Sequence, residues 1–309
     1  MKRKIIEHGT SNAVTLPKKW FDKYGLKHGE ELNVEENGPK LIISAEQIKA
    51  KRETIKIEQE LFIPYVHKVI GKICIAGYDH IAIIISDQKD MDKVEAEALK
   101  NVLGLEMIKK TDKEITFDIV ISDTQEQYEK YERKTFQTAI EYAKFILELI
   151  EKKEYAKLDN RSLEMLNNKF SVFCERYLNK TLSKDCIFKY IIIWNLEKIT
   201  DEYKLLTRFV KEHNVQISKE TKEYFKKAIK YLEDFQDLYY SFAPSKYSKM
   251  NQDKIKLINK EGNALRLKKT VPETIVISKL MNTIVTVFNC LGNVLAMHVS
   301  EFSIPTVKI

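Results

Sequence analysis

Hydrophobic spacing changes character along the chain. Up to about residue 46, apolar side chains come in short runs: Lys4-Ile5-Ile6-Glu7, Ala13-Val14-Thr15-Leu16, Glu31-Leu32-Asn33-Val34-Glu35 and Lys40-Leu41-Ile42-Ile43. Turn residues at His8-Gly9 and Asn37-Gly38-Pro39 punctuate them, a pattern that predicts strands. Between the second and third runs, Pro17 is placed to open a helix and Gly25 to close it, leaving about two turns through Trp20 and Tyr24. Residues 47–122 mix the two periods. They predict a strand at Thr54 to Glu58, a helix from about Pro64 to Ala76, a strand at His80 to Ser86 and a helix at Met91 to Leu103. A hairpin of Leu105 to Lys109 and Glu114 to Ile121 completes a small α+β domain.

From Ser122 onward the spacing is helical almost to the end. Six helices are expected, at about 124–153, 161–180, 184–212, 219–242, 252–269 and 272–299. Asp123 with Glu126 reads as a capping box, and Ser183, Ser218 and Pro272 stand at helix starts. Two sets of three suggest a duplicated three-helix unit, with repeats at about 123–213 and 214–301. The expected fold is therefore a multi-domain α+β protein with domains at 1–46, 47–122 and 123–309. On the third long helix, steps of about 100° per residue from Ile187 put Ile191, Trp194, Leu205 and Phe209 in one arc, which is expected to be the buried face. Glu197 and Asp201 fall at its edge.

Composition narrows the class. Of 309 residues 44% are apolar and 31% charged, with nine Gly and six Pro, which excludes collagen-like and disordered chains and favours long helices. The four cysteines are scattered and form no Cys-x-x-Cys pair, so they are expected to be reduced and mostly buried. The most apolar stretch, Ile275 to Val299, is interrupted by Lys279, Asn282, Asn289 and Asn293, and no secretory signal is visible at the start of the chain. A soluble, cytoplasmic protein that is not an integral membrane protein is expected. No nucleophile with a base can be assembled, the six histidines show no ligand spacing, and Gly-rich phosphate loops are absent, so the protein is not expected to be an enzyme.

Charge is more informative by segment than in total. The surplus of 52 Lys and Arg over 45 Asp and Glu leaves +7. Residues 1–46 contribute +1, residues 47–122 contribute −1 and residues 123–309 contribute +7. The first segment is polarised, with +5 in residues 1–28 and −4 in residues 29–46. A positive face of this kind neutralises phosphates in a sequence-independent, salt-sensitive way.

Four strands in some 46 residues bury too little surface to hold a core without disulfide, metal or oligomerisation, and no cysteine precedes Cys74. Dimerisation is the remaining route. Lys4-Ile5-Ile6-Glu7-His8-Gly9, Val14-Thr15-Leu16-Pro17-Lys18-Lys19-Trp20 and Gly25-Leu26-Lys27-His28-Gly29-Glu30 together resemble the SpoVT/AbrB swapped-hairpin DNA-binding domain over residues 3–43. The resemblance implies that two chains interlock their hairpins into one β-barrel that binds double-stranded DNA. It implies contacts from Lys2, Arg3 and Lys4 on the first strand, from Thr10, Ser11 and Asn12 in the following loop, and from Lys18 and Lys19 at the helix start. Phe21 and Asp22 stand where some relatives place two basic residues, and Trp20 is read as barrel core.

In the helical part, Glu197 and Asp201 lie about 5–6 Å apart on one helix face and, half-buried, need a cation. A metal, a lysine or arginine, or a shared proton would serve; hard oxygen ligands suit Mg²⁺, Mn²⁺ or iron. Glu197-Lys198-Ile199-Thr200-Asp201 also resembles the Glu/Asp-x-x-x-Asp metal signature of the PhoU family, which is built from two three-helix repeats. The resemblance implies one metal site, for Mg²⁺, Mn²⁺, iron or zinc, with Glu164 as a further ligand, although Asn168 on the preceding helix and Asn282 and Thr286 in the second repeat depart from the acidic pattern. Taken together, the two resemblances imply an archaeal-type transcriptional regulator of phosphate uptake with a helical sensor body. The alternative is a dimeric adaptor that docks on a phosphate transporter or signalling protein, its head serving mainly to dimerise.

Overall fold

A computed structural model describes residues 2–37, 40–44, 54–62, 66–181 and 184–302. The expected turn at Gly38-Pro39 and the helix starts at Pro64 and Ser183 lie outside the described residues. The chain divides into two compact units, Met1–Thr54 and Ile55–Ile309.

In the first unit, β1 (Ile5–His8) and β2 (Ser11–Val14) form an antiparallel hairpin in which Ile5 faces Val14 and His8 faces Ser11. Pro17, in extended conformation, precedes α1 (Lys18–Lys23). Gly25, at φ +63°, ends the turn that follows, a backbone conformation that side-chain-bearing residues rarely adopt. A second antiparallel pair, β3 (Asn33–Asn37) and β4 (Lys40–Ser44), places Val34 opposite Ile43. Among the side chains described in this unit only Leu26 is buried. Ile5 is 76% exposed, and Ile6, Val14, Val34 and Leu41 are exposed as well. Trp20 is half-buried, its ring 5.6 Å from that of Tyr24.

The second unit opens with a four-stranded sheet in the order β5-β6-β8-β7, made of β5 (Thr54–Glu58), β6 (His80–Ile84), β7 (Leu105–Lys110) and β8 (Glu114–Ile119). β8 is antiparallel to both neighbours, and the ladder with β7 is irregular between Met107 and Lys109. Alternation along β6 and β8 sends Ile81, Ile83, Ile115 and Phe117 into a core shared with α2 (Val66–Ile75) and α3 (Met91–Asn101).

The helical body comprises α4 (Gln125–Glu151), α5 (Ser162–Thr181), α6 (Cys186–Glu212), α7 (Lys219–Tyr240), α8 (Pro244–Ile255), α9 (Asn263–Arg266) and α10 (Val271–His298). α4, α5 and α6 pack on one another, as do α7, α8 and α10. α6 against α10 and α4 against α7 join these into one continuous core, and α2 and α3 pack on α5. All four cysteines are buried and free.

Several expectations are corrected here. The cap of α4 is Thr124, whose hydroxyl accepts from the Gln127 N–H at 3.3 Å, because Asp123 is engaged by Arg176 and Lys180. The fifth helical segment starts at Pro244, about eight residues earlier than expected, since proline with no N–H to lose suits the first turn. It runs through a π-helical turn, Lys256–Gly262, into α9. There the Tyr224 hydroxyl donates to the Leu257 carbonyl at 3.1 Å, and a Cβ at Gly262 would come within 2.7 Å of the same hydroxyl. By length and composition alone the helical stretch Val271–Phe302 could cross a membrane, the interrupting polar residues notwithstanding. Half of its apolar window is buried, and α10 packs against α6 and α7 as a core helix does.

The largest correction concerns α6. Ile187 is 68% exposed and Trp194 43%, and Ile191 and Leu205 are exposed too. The buried arc consists of Ile192, Leu196, Ile199, Tyr203, Leu206 and Val210. From Cys186 to Leu196 the helix is apolar almost all round, so an arc anchored on Ile187 satisfies the same periodicity while pointing to solvent.

Candidate functional site

Two regions carry the candidate chemistry. In the first unit the hairpin register puts Thr10 in the tight turn and Ser11 and Asn12 at the start of β2, directly after it. Arg3 and Lys4 lead into β1, and Lys18 and Lys19 form the first turn of α1. The side chains of Lys2, Arg3, Lys4, Thr10, Ser11, Asn12, Lys18 and Lys19 are all exposed. Among the described residues none of these five cations has an ion-pair partner. They are free to meet an external anion.

In the second unit the three carboxylates singled out in the sequence are linked to one another through lysines. Glu164 projects from α5, and Glu197 and Asp201 from α6. Lysines of α6 stand among them: Lys198 Nζ lies 2.7 Å from Glu197 and 3.4 Å from Asp201, while Lys204 Nζ lies 2.8 Å from Glu164 and bonds Asp201. Asn168 Nδ2 donates to Glu164 at 3.0 Å. Burial, reinforced by the charge of Asp201 one turn away, raises the pKa of Glu197 above the ordinary carboxylate value. Burial acts the same way on Asp201, but hydrogen bonds and charge from Lys204 and Lys198 outweigh it and hold that carboxyl below its usual value. Burial would lower the pKa of Lys204, and its bonds to Asp201 and Glu164 raise it instead.

This donor set does not fit a divalent cation as it stands. Ammonium groups fill the positions between the carboxylates, and among the described residues no group of three His, Cys, Asp or Glu comes together to hold a metal. The lysines come from the same helix as Glu197 and Asp201, one residue and three residues after them, a spacing visible in Glu197-Lys198-x-x-Asp201-x-x-Lys204.

Two features carry little signal in the sequence. Arg176 of α5 is 2% exposed and donates to the Cys74 and Tyr78 carbonyls at 3.0 and 2.8 Å. It also bonds Asp79 and Asp123, which ties the α2–β6 turn to the helical body. Its signal was a Glu175-Arg176 pair inside the apolar stretch Phe173 to Leu178. The second is a cavity of about 470 Å³ between α2, α5 and α6, lined by the carboxylate cluster together with Lys68, Lys72, Arg161 and Glu175. Glu175 accepts from the Tyr190 hydroxyl at 3.1 Å and lies 3.8 Å from Lys72. Burial raises its pKa above the ordinary value.

Comparison with known proteins bears on the first region. Residues 8–54 match the family described as antidote-toxin recognition MazE, bacterial antitoxin. The match supports an AbrB/SpoVT-like N-terminal domain, consistent with a DNA-binding or dimerisation head. No curated protein matches the chain, and no solved structure does.

Proposed function

We propose that this protein is a cytoplasmic, dimeric, DNA-binding transcriptional regulator whose helical body senses a signal, with control of phosphate uptake as the process its sequence resemblance suggests. It is not an enzyme in this reading. The observation that carries the proposal is the state of the head: a hairpin unit with exposed Ile5, Ile6 and Val14 and with Arg3, Lys4, Lys18 and Lys19 unpaired among the described residues, matched to a MazE-type domain. Interlocking two copies would cover the apolar side chains and double the basic ones. The arrangement of α4–α6 and α7–α10 as two helical groups supports a PhoU-like body.

Duplex binding measured against salt tests this directly. Four basic side chains per chain, doubled in a dimer, reach up to ~8 phosphates, so log K against log salt should fall with a slope near −7. A slope near zero, or no binding at low salt, would sink the DNA reading. The antitoxin character of the matched family favours a second reading, in which the head only dimerises an adaptor whose body docks on a transporter or signalling protein. A salt-independent dimer that ignores DNA is the outcome that selects it.

A further inference from the structure

We infer that the cavity between α2, α5 and α6 is a binding site for a small polyanion, of the phosphorylated or polycarboxylate class, and that the lysines of the carboxylate cluster give it this preference. Three observations lead there. The cavity holds about 470 Å³, within the range of metabolite pockets. Where a metal would need open carboxylate oxygens, the lining already contains the ammonium groups of Lys198 and Lys204 bonded to Glu164, Glu197 and Asp201. An incoming cation would have to displace two tethered ammonium groups already bonded to the carboxylates.

The rest of the charged lining has a different balance: Lys68, Lys72 and Arg161 are cationic and Glu175 is the remaining carboxylate. Lys72 lies 3.8 Å from Glu175, beyond the 2.7–2.9 Å of a direct ionic hydrogen bond, and its side chain is 69% exposed. Arg161 has no ion-pair partner among the described residues, and its planar fork suits bidentate capture of a phosphate or carboxylate. Since Lys72 belongs to α2 while Arg161 precedes α5, a ligand with two or more negative groups can bridge the α/β layer and the helical body. A monovalent anion could satisfy only one side.

The proposal names an effector class for the sensor body and so deepens the functional reading given above. Its test uses no DNA, and the two therefore fail separately. The full-length protein is titrated by calorimetry with inorganic pyrophosphate, with citrate and with Mn²⁺. Saturable binding of pyrophosphate or citrate, one per chain, is expected, pyrophosphate marking a phosphate ligand and citrate a polycarboxylate. Arg161→Gln/Lys72→Gln should weaken it by about tenfold or more, the scale of one or two lost charge-assisted bonds. The control Lys93→Gln/Lys260→Gln removes the same charge from surface positions elsewhere and should leave binding within about twofold. Equal weakening by both double variants would reduce the effect to general electrostatics and overturn the site. So would failure of both anions to bind, or saturable Mn²⁺ binding that Glu197→Gln abolishes. Circular dichroism of each variant separates lost binding from lost fold.

Discussion

The head and the helical body use the same residue types in opposite ways. In residues 1–46 the net charge is only +1, yet Arg3, Lys4, Lys18 and Lys19 stand exposed and, among the described residues, unpaired, and apolar Ile5 and Val34 face solvent. Residues 123–309 carry +7, but much of that charge is satisfied internally. In the basic stretch 249–269, Lys249 pairs with Asp253 and Asp234, Lys269 with Glu220, and Lys254 lies over the Phe288 ring. Even the buried Glu132 accepts hydrogen bonds from Tyr128 and Tyr239. Net charge therefore points to the wrong region. What distinguishes an interface is charge without an internal partner, and by that measure the head stands apart among the described residues.

The contrast breaks first at Arg176 if the body's charges are not structural. Arg176→Met should destabilise the second unit by about 3–5 kcal/mol, because Asp79 and Asp123 lose a buried partner and two carbonyls lose a donor. Urea unfolding monitored by helical circular dichroism measures this. A loss below about 1 kcal/mol would show that Lys180, which also reaches both aspartates, suffices, and that the charge network is ordinary surface pairing.

Next in size is a contrast within α6. Leu196→Ala should cost about 2–5 kcal/mol as a cavity in the core, whereas Ile187→Ser should stay within about 0.5 kcal/mol. If Ile187→Ser instead costs as much as Leu196→Ala, the Ile187–Trp194 face is covered in solution, and α6 is buried on both sides.

These positions also mark where sequence reading stops. The α/β elements and five of the six long helices stand close to their expected bounds, because periodicity, Gly25, Ser218 and Pro272 mark them locally. The buried arc of α6 was not legible, since a helix apolar all round gives the moment no direction. Nor was Arg176, whose partners Asp79 and Asp123 lie 97 and 53 residues away. The Glu197–Asp201 pair could be read from its spacing, and Glu164 only from the family resemblance. That Lys198 and Lys204 would turn back upon them could not, because a lysine stem reaches several directions and only the packing of α5 on α6 selects one.

The smallest effect concerns the buried carboxylate of the cavity and is best seen as a difference between two proteins. Glu175 is buried against Tyr190, with Lys72 on its open side and Glu197 and Lys198 nearby, and burial raises its pKa in the folded protein. A carboxyl with a raised folded pKa binds more protons folded than unfolded, so its contribution to stability is complete below the unfolded value and is lost as pH rises through the folded one. Wild type should therefore gain stability relative to Glu175→Gln as pH falls from 7 towards 5. Glutamine keeps an oxygen to accept from Tyr190 and cannot titrate. Glu197 shifts in the same direction, and its charge adds to the upward shift of Glu175 in the wild type. The depressed Asp201 titrates below its ordinary value, outside this window. Urea midpoints of the two proteins at several pH values should converge or cross on the acid side. Parallel midpoints would mean that Glu175 ionises freely and that water or Lys72 already compensates it, which would make the cavity less positive than Lys68, Lys72 and Arg161 alone suggest.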